Sequence, residues 1–429
     1  MICKKILTTL LIALSLVSSH RMVADQALSP KATKARVTVF IHGSIFTPLS
    51  MLNMRRVLSD DLVPTCRYVQ FVNEVRRNPV ILQDQLMLDL GLHEIGVSIL
   101  GSVHAGALTE DEKKKAAYGL TAVYDTITAF VPSAPEHRFY YAFGHLGLLS
   151  HQYRQEAARE LYQELCLVME TLKKRYVTVE LHIVAHSHGG NIALNLASCP
   201  GDLFVDVLCM LGTPIQHETA SYAWHPMFGS VINAFSAGDN LQGRDYFSTA
   251  HRKSYQHLYD QNLLIKRPTN RRVFDVALNL NGSTVGIDHA NMWLVGRSKP
   301  LHPLVYPLPL VAFVPLMLES LEPVSTHQAD AYLTIDPAQL TMIVAADYED
   351  GTPPKIIRLE TEVIKKLSAL MHASWIPADN NRSPVFNGKT ARVFLDIAAG
   401  VWNLYKPTAL FSRTKKGDPV VVEPVVAYP

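Results

Sequence analysis

One segment of the sequence combines a candidate nucleophile with the backbone shape that such a residue needs. The run Leu181-His-Ile-Val-Ala-His-Ser-His-Gly-Gly-Asn191 reads as a buried strand, a turn that holds Ser187, and a helix opened by two glycines. A tight strand-to-helix turn needs small residues two positions before and after the serine, and Ala185 and Gly189 occupy those positions. Such a turn lifts the serine hydroxyl above the sheet and points backbone N–H groups at a reacting carbonyl oxygen. The sequence therefore predicts Ser187 as the nucleophile of an acyl transfer.

Phosphate-binding loops also place a glycine-rich turn between a strand and a helix. No lysine of the Walker type follows Gly190, and the sequence contains no G-x-G-x-x-G. An earlier strand ends in Phe40-Ile-His-Gly43, where a second hydrogen-bond donor to an oxyanion belongs. A metal site on His186 and His188 is disfavoured, because no further ligands follow at a known spacing. We therefore favour the nucleophile and expect neither a metal nor a cofactor.

These motifs together resemble a known superfamily. The segments Val39-Phe-Ile-His-Gly43, Val184-Ala-His-Ser-His-Gly-Gly-Asn191 and Leu211-Gly-Thr-Pro214 are similar to the α/β-hydrolases, and among them to the bacterial lipases and esterases. The resemblance covers about residues 36–297. It implies an oxyanion hole formed by the backbone N–H groups of Ser44 and His188, and a triad in the chain order serine, acid, histidine. The family's first elbow glycine is replaced by alanine here.

The resemblance implies that the acid follows a later strand. Asp239 lies after the strand-like segment 231–236 and a small residue, and it is the leading candidate. Asp245 has no strand directly before it, and Asp275 falls within a strand, so both are weaker. An ordinary Asp-Asn turn is the other interpretation of Asp239.

The implied histidine belongs in a loop after the last strand of the domain. His289 follows the predicted strand 273–280 and is the leading candidate, whereas a plain loop histidine is the alternative. His257 precedes that strand, and His302 lies in a proline-rich stretch, so both are weaker. The two histidines next to Ser187 are not expected to act as its base, because adjacent side chains point apart on such a turn.

Strands and helices alternate along the chain and must position these residues. We predict strands at 36–43, 138–144, 177–185, 203–211, 231–236, 273–280, 331–335 and 340–346, and helices at 49–62, 110–130, 151–175, 191–197 and 356–375. This alternation predicts an α/β fold with a mostly parallel sheet and helices on both faces. The hydrolase-like domain spans 36–298, with a helical insertion at 65–137 that is either a lid or a plain decoration. Residues 299–429 form a C-terminal extension, whose apolar stretch 304–318 either contacts lipid or is buried.

Composition excludes several classes of protein. The chain has 429 residues, of which 48% are hydrophobic and 18% charged, which excludes a disordered or fibrous chain. A net charge of +2, from 40 basic and 38 acidic residues, argues against nucleic-acid binding. Four scattered cysteines beyond Cys3 form no metal-type pair, and a bond between Cys199 and Cys209 is left open.

The first residues are typical of a secretory signal peptide. Lys4 and Lys5 precede an uncharged apolar run from Ile6 to Val17, which small residues follow. We predict cleavage after Ser19, with an uncleaved N-terminal anchor as the alternative.

Together these observations predict an exported serine hydrolase that cleaves carboxylic esters of small molecules or lipids. Peripheral contact with a membrane is compatible with this function, and the sequence makes no prediction of oligomeric state. Two alternatives remain open: acyl transfer or thioester cleavage by the same triad, and a non-catalytic surface protein on a hydrolase scaffold.

Overall fold

The strands around the candidate serine form one large sheet. The computed structural model describes residues 32–44, 90–99, 102–104, 116–239 and, with short gaps, 241–293, 310–322, 328–335, 339–345 and 353–365. The predictions for the leader 1–19, the helix 49–62 and His302 lie outside these residues.

Eleven of the described strands belong to this sheet. The strands of the chain are β1 (Ala32–Ile41), β2 (Gly91–Ile99), β3 (Ser102–His104), β4 (His137–Gly144), β5 (Tyr176–His186), β6 (Val205–Leu211), β7 (Ile215–Gln216), β8 (Phe228–Phe235), β9 (Ser254–Tyr255), β10 (Arg272–Leu280), β11 (Gln328–Ile335), β12 (Gln339–Ala345) and β13 (Ile356–Glu360). The order across the sheet is β13-β12-β11-β10-β8-β6-β5-β1-β4-β2-β3, and β7 pairs with β9 separately. The seven strands from β11 to β4 are mutually parallel, whereas the pairs at both edges are antiparallel. The predicted α/β fold with a mostly parallel sheet is confirmed.

Helices cover both faces of the sheet. They are α1 (Ala116–Thr128), α2 (His151–Lys173), α3 (His188–Asn195), α4 (His217–Ala220) and α5 (Val314–Leu321), with 3₁₀ turns at Leu196–Ser198, Ser221–Trp224 and Leu310–Phe313. Helices α1 and α5 pack with the hydrophobic cluster on one face, and α2 and α3 pack with the cluster on the other. The Ser150 side chain caps α2 by accepting a hydrogen bond from the backbone N–H of Tyr153. No described helix is long and apolar enough to cross a membrane.

The central strands are apolar on both sides because each face has its own helical cover. In β1, Val37 and Val39 belong to one hydrophobic cluster and Phe40 belongs to the other. In β5, Ile183 belongs to the same cluster as Val37, and Val184 belongs to the same cluster as Phe40. Such near-continuous apolar runs are what parallel strands buried on both faces require.

The structure differs from the predicted elements in two places. The helix predicted at 110–130 is present as α1, but the insertion after β1, predicted to be helical, also contributes strands β2 and β3. Strand β2 is the second strand from one edge of the sheet, and it has a bulge at Glu94–Gly96. Buried and exposed residues therefore do not alternate regularly along β2, so the sequence shows no two-residue hydrophobic period there. Residues 356–360, expected to begin a helix, form β13 instead, because they pair with β12 at the opposite edge.

The described parts of the insertion and of the extension belong to the body of the fold. Helix α1 buries Val123 and Ile127 in the core, so this part of segment 65–137 is not a detached cover over the site. A boundary at residue 298 divides one sheet, because β11 pairs with β10. The described end of the apolar stretch, residues 310–318, is mostly buried, and Cys199 and Cys209 are free thiols.

Candidate active site

The structure places Ser187 at a strained turn between β5 and α3. Its backbone has φ 53° and ψ −130°, and among the described residues it is the only non-glycine with a positive φ. A conformation of this kind costs about 1–3 kcal/mol and persists only where its surroundings enforce it. The Ser187 N–H donates to the Leu211 carbonyl at 2.9 Å, and the Ser187 carbonyl accepts from Gly190 at 3.0 Å. These bonds tie the turn to the neighbouring strand β6 and to the helix that follows.

Both residues expected to supply the oxyanion hole lie beside this turn. His188 is the first residue of α3, where backbone N–H groups have no partner within the helix. A Cβ built on Gly43 would lie only 2.7 Å from the Ser187 Cβ, so only glycine permits so close an approach of the His-Gly loop. Ser44, the next residue, is half-buried, and its hydroxyl donates to the Leu148 carbonyl at 3.4 Å.

A pair of stacked histidines supports the His-Gly loop. The rings of His42 and His145 are 3.9 Å apart and 3° from parallel. His145 Nδ1 accepts from the Gly147 N–H, so its Nε2 carries the proton and donates to the His42 carbonyl at 2.8 Å. His42 Nε2 accepts from the His145 N–H, so its Nδ1 donates to the Gly43 carbonyl at 2.7 Å. Both rings are therefore neutral, and they fix the carbonyls before Ser44.

The structure brings the leading acid and the leading histidine into direct contact. Asp239 Oδ2 lies 2.7 Å from His289 Nδ1, and the Asp239 carboxylate is fully buried. Its other oxygen accepts the backbone N–H groups of Leu241 at 3.0 Å and Gln242 at 3.1 Å. With both oxygens engaged, the carboxylate has a fixed orientation and holds the His289 imidazole by one nitrogen.

The Leu-Gly-Thr-Pro turn runs directly beneath this pair. The Gly212 N–H donates to the Ala234 carbonyl at 2.8 Å, and its φ of +60° suits glycine. A Cβ at Gly212 would lie 2.8 Å from Asp239 Oδ2 and 3.1 Å from His289 Nδ1. Glycine at this position therefore leaves the space that the Asp239–His289 contact occupies.

His186 links the serine turn to the loop of His289. Its Nε2 lies 2.9 Å from the His289 carbonyl, which can only accept, so this nitrogen carries the proton. The His186 ring is 4.6 Å from the His289 ring and stacks on Trp293 at 5.5 Å. Burial, and then the neighbouring His289, lower the pKa of His186 well below its usual value, so the ring is neutral. The candidate base His289 and the candidate nucleophile Ser187 thus lie on adjoining segments joined through His186.

The rival residues have other partners. Asp275 accepts from Asn233 at 2.7 Å and from the backbone N–H groups of Leu258 and Tyr259 at 3.0 Å each, so it anchors a loop. Burial raises the pKa of the Asp275 carboxyl. Half-exposed His257 lies 3.9 Å from Asp275.

Asp245, the other rival acid, contacts His188 Nε2 at 3.2 Å. Sequence reasoning missed this pairing, because Asp245 lies in a loop, His188 lies at the start of α3, and neither position shows a pattern that connects them.

Among the residues that the structure describes, no group of three His, Cys, Asp or Glu side chains could hold a metal ion. The chemistry available is that of a buried carboxylate, an imidazole, a strained serine and backbone N–H groups at a helix start, which together suit acyl transfer.

Comparisons with known proteins add little to this geometry. No family model matches the chain, and no curated protein matches it. Among solved structures the chain is similar to an uncharacterized protein from Pseudomonas aeruginosa, with 10% identity and a TM-score of 0.17. The match covers 62% of this chain, which spans 42% of the length of that protein. A TM-score of this size carries no argument about fold or function.

Proposed function

We propose that this protein is an exported serine hydrolase with an α/β-hydrolase fold, which cleaves carboxylic esters as lipases and esterases do. One observation carries the proposal: strained Ser187 lies next to the loop in which buried Asp239 holds His289 at 2.7 Å. The chain order serine, acid, histidine is that of the α/β-hydrolases. The strand–turn–helix context of Ser187 supports the same assignment.

The proposed reaction begins when the Ser187 hydroxyl oxygen attacks the ester carbonyl carbon. The hydroxyl proton passes to the free nitrogen of His289, while Asp239 holds the other ring nitrogen and stabilises the imidazolium. The carbonyl oxygen becomes an oxyanion that accepts the N–H groups of Ser44 and His188. As the carbon–oxygen bond to the leaving group breaks, His289 returns its proton to the departing alcohol. Water then repeats these steps on the acyl-serine and releases the carboxylic acid.

The substrate class follows from the chemistry only as far as an acyl ester. We propose a small-molecule or lipid ester, and peripheral contact with a membrane remains part of the prediction. Export rests on the leader-like residues 1–19. Transfer of the acyl group to an alcohol, and cleavage of a thioester, would use the same side chains.

Hydrolysis of p-nitrophenyl esters from acetate to palmitate tests the proposal. We expect Ser187→Ala to lower kcat by at least about 10³-fold, because the covalent step is lost. Ser198→Ala is the matched control, since Ser198 is an exposed serine in the 3₁₀ turn that follows α3, and its hydroxyl donates to the Asn195 carbonyl. A fluorophosphonate probe, mapped by mass spectrometry, should label Ser187.

Each outcome of this experiment has a meaning. Undiminished hydrolysis by Ser187→Ala, or labelling at another residue, would contradict the assignment. If the wild-type protein neither hydrolyses the esters nor reacts with the probe, the result would favour a non-catalytic surface protein on a hydrolase scaffold. The preferred acyl length separates a lipase from a short-chain esterase, and added alcohol or thioester reveals the transfer and thioesterase alternatives.

A further inference from the structure

The His188 ring is held at both nitrogens by neighbours that the triad does not use. His188 Nε2 lies 3.2 Å from Asp245 Oδ2 and 3.3 Å from the Ser248 hydroxyl oxygen. His188 Nδ1 lies 3.5 Å from the side-chain amide nitrogen of Asn191, one turn along α3. The His188 and Ser248 side chains are buried, and Asp245 is half-buried.

Donor and acceptor roles in this cluster have one consistent solution. The Gln216 amide nitrogen donates to Ser248 Oγ at 2.6 Å, so the Ser248 hydroxyl is free to donate its own proton to Asp245. His188 Nε2 then faces two acceptors and must carry the ring proton. His188 Nδ1 faces the Asn191 amide donor and must be the acceptor. The network therefore specifies a neutral His188 ring with its proton on Nε2.

The charges around the ring favour the same state. Burial lowers the pKa of His188, and the contact with Asp245 only partly offsets this effect. Burial alone would raise the pKa of Asp245, but the hydrogen bonds that its carboxylate accepts from His188 and Ser248, together with the charge of Arg154, outweigh burial and lower the pKa. Arg154 is buried and reaches the cluster through Gln216 Oε1 at 2.8 Å and the Ser248 carbonyl at 2.9 Å. The Arg154 cation and the Asp245 anion balance each other, so a neutral ring completes the cluster.

The geometry points to Asp245 and Ser248 as positioning residues of the oxyanion hole, acting through the His188 ring. We propose that this ring, fixed at both nitrogens, sets the direction of the His188 backbone N–H beside Ser187. The inference rests on the proposed function, since it assigns work to the oxyanion hole of that reaction. A donor must lie within about 2.7–3.1 Å of the developing oxyanion, so a loosely held first residue of α3 would weaken the transition-state contact.

A pair of His188 variants separates positioning from mere packing. His188→Phe keeps a planar ring and removes both nitrogens, whereas His188→Gln keeps an N–H donor near the position of Nε2. We expect His188→Phe to lower kcat for p-nitrophenyl esters about 10- to 100-fold with KM nearly unchanged, because a displaced donor weakens only the transition state. His188→Gln should recover most of that loss. Asp245→Asn should lie between the two, and Asp275→Asn, a buried carboxylate without contact to His188, is the control.

Two further measurements test the positioning role of His188 separately from the proposed hydrolase function. The rate at which a fluorophosphonate labels Ser187 should fall in parallel with kcat, since the probe also develops an oxyanion. Nitrogen NMR of the labelled His188 ring should show the neutral Nε2–H tautomer, whatever the activity.

Labelling of the wild type together with an undiminished rate in His188→Phe would overturn the positioning role alone. A wild-type protein that neither hydrolyses esters nor reacts with the probe would overturn the hydrolase proposal, and the positioning role with it. An Nδ1–H tautomer, or a ring that is charged at pH 7, would overturn the network directly.

Discussion

Replacing Gly212 by alanine probes the Asp239–His289 contact on which the proposed catalysis depends, without replacing any residue of the proposed triad. The added methyl group would lie 2.8 Å from Asp239 Oδ2, 3.0 Å from Met292 Sδ and 3.1 Å from His289 Nδ1. These neighbours surround the Asp239–His289 hydrogen bond. Because Oδ1 of Asp239 is bound to two backbone N–H groups, the carboxylate cannot swing away without breaking other bonds.

The magnitude follows from two separate effects. Alanine at a φ of +60° costs about 1–2 kcal/mol, since its Cβ crowds the following carbonyl oxygen. The 2.8 Å approach to Asp239 falls about 0.6 Å short of the 3.4 Å at which ordinary contact begins. A misplacement of about 1 Å at a catalytic group costs up to about 10²-fold in rate. We therefore expect Gly212→Ala to lower kcat about 10-fold or more, with a loss of unfolding free energy of about 1–3 kcal/mol.

A matched glycine separates strain from damage to the site. Gly91 has a φ of +99°, and a Cβ there would meet the flexible Glu164 carboxylate at 3.2 Å, on β2 near the edge of the sheet. Gly91→Ala should lose stability in urea unfolding much as Gly212→Ala does, yet keep its kcat for p-nitrophenyl esters. A folded Gly212→Ala variant that keeps kcat within twofold of wild type would show that catalysis does not depend on the geometry of the Asp239–His289 contact.

Two other predictions test separate parts of the structure. Asp239→Asn should lower kcat by roughly 10³- to 10⁴-fold, because an amide no longer holds the productive tautomer of His289. Asp275→Asn, the control, should leave kcat near wild type. Equal losses in the two variants would contradict the assignment of Asp239 as the acid of the triad. Burial lowers the pKa of His182, His186 and His188, so below about pH 6.5 the unfolded chain binds more protons than the folded one. The free energy of unfolding should thus fall from pH 7 to pH 5, by at most about 1.4 kcal/mol per pH unit for each histidine. His182→Gln should lessen this slope in urea titrations. An unchanged slope would count against a neutral buried His182.

The central strands were predictable because their environment is uniform. A strand covered on both faces needs a near-continuous apolar run, and the runs that end at Ile41, Ala185 and Leu211 carry that signal, interrupted only briefly by residues such as Thr38 and His182. The edge strands lack such a near-continuous apolar run. Residues 356–360 read equally well as the start of an amphipathic helix, and only pairing with β12 makes them a strand.

Part of the candidate site was also predictable, namely the residues that are marked by their sequence neighbours or by chain order. Ser187 is marked by its immediate neighbours, since the small residues around it are required by the turn itself. Asp239 and His289 were selected by chain order, and the structure places them in contact at 2.7 Å. The partnership of His188 with Asp245 leaves no local trace, because it joins the start of a helix to a loop through side chains alone. Sequence inspection treated Asp245 only as a rival acid.

The two histidines that flank Ser187 explain how a strained turn can be kept in place. His186 donates to the carbonyl of His289, and His188 donates into the Asp245–Ser248 cluster, so the residues on either side of the serine are bound to different loops. Each bond restrains one side of a backbone that would otherwise relax from its φ of 53°. Both rings are neutral, because burial disfavours their charged forms, and a neutral ring can donate from one nitrogen only. The same two residues thus couple the strain at Ser187 to the proposed base on one side and to the proposed oxyanion hole on the other, which is the arrangement that a preorganised acyl-transfer site requires.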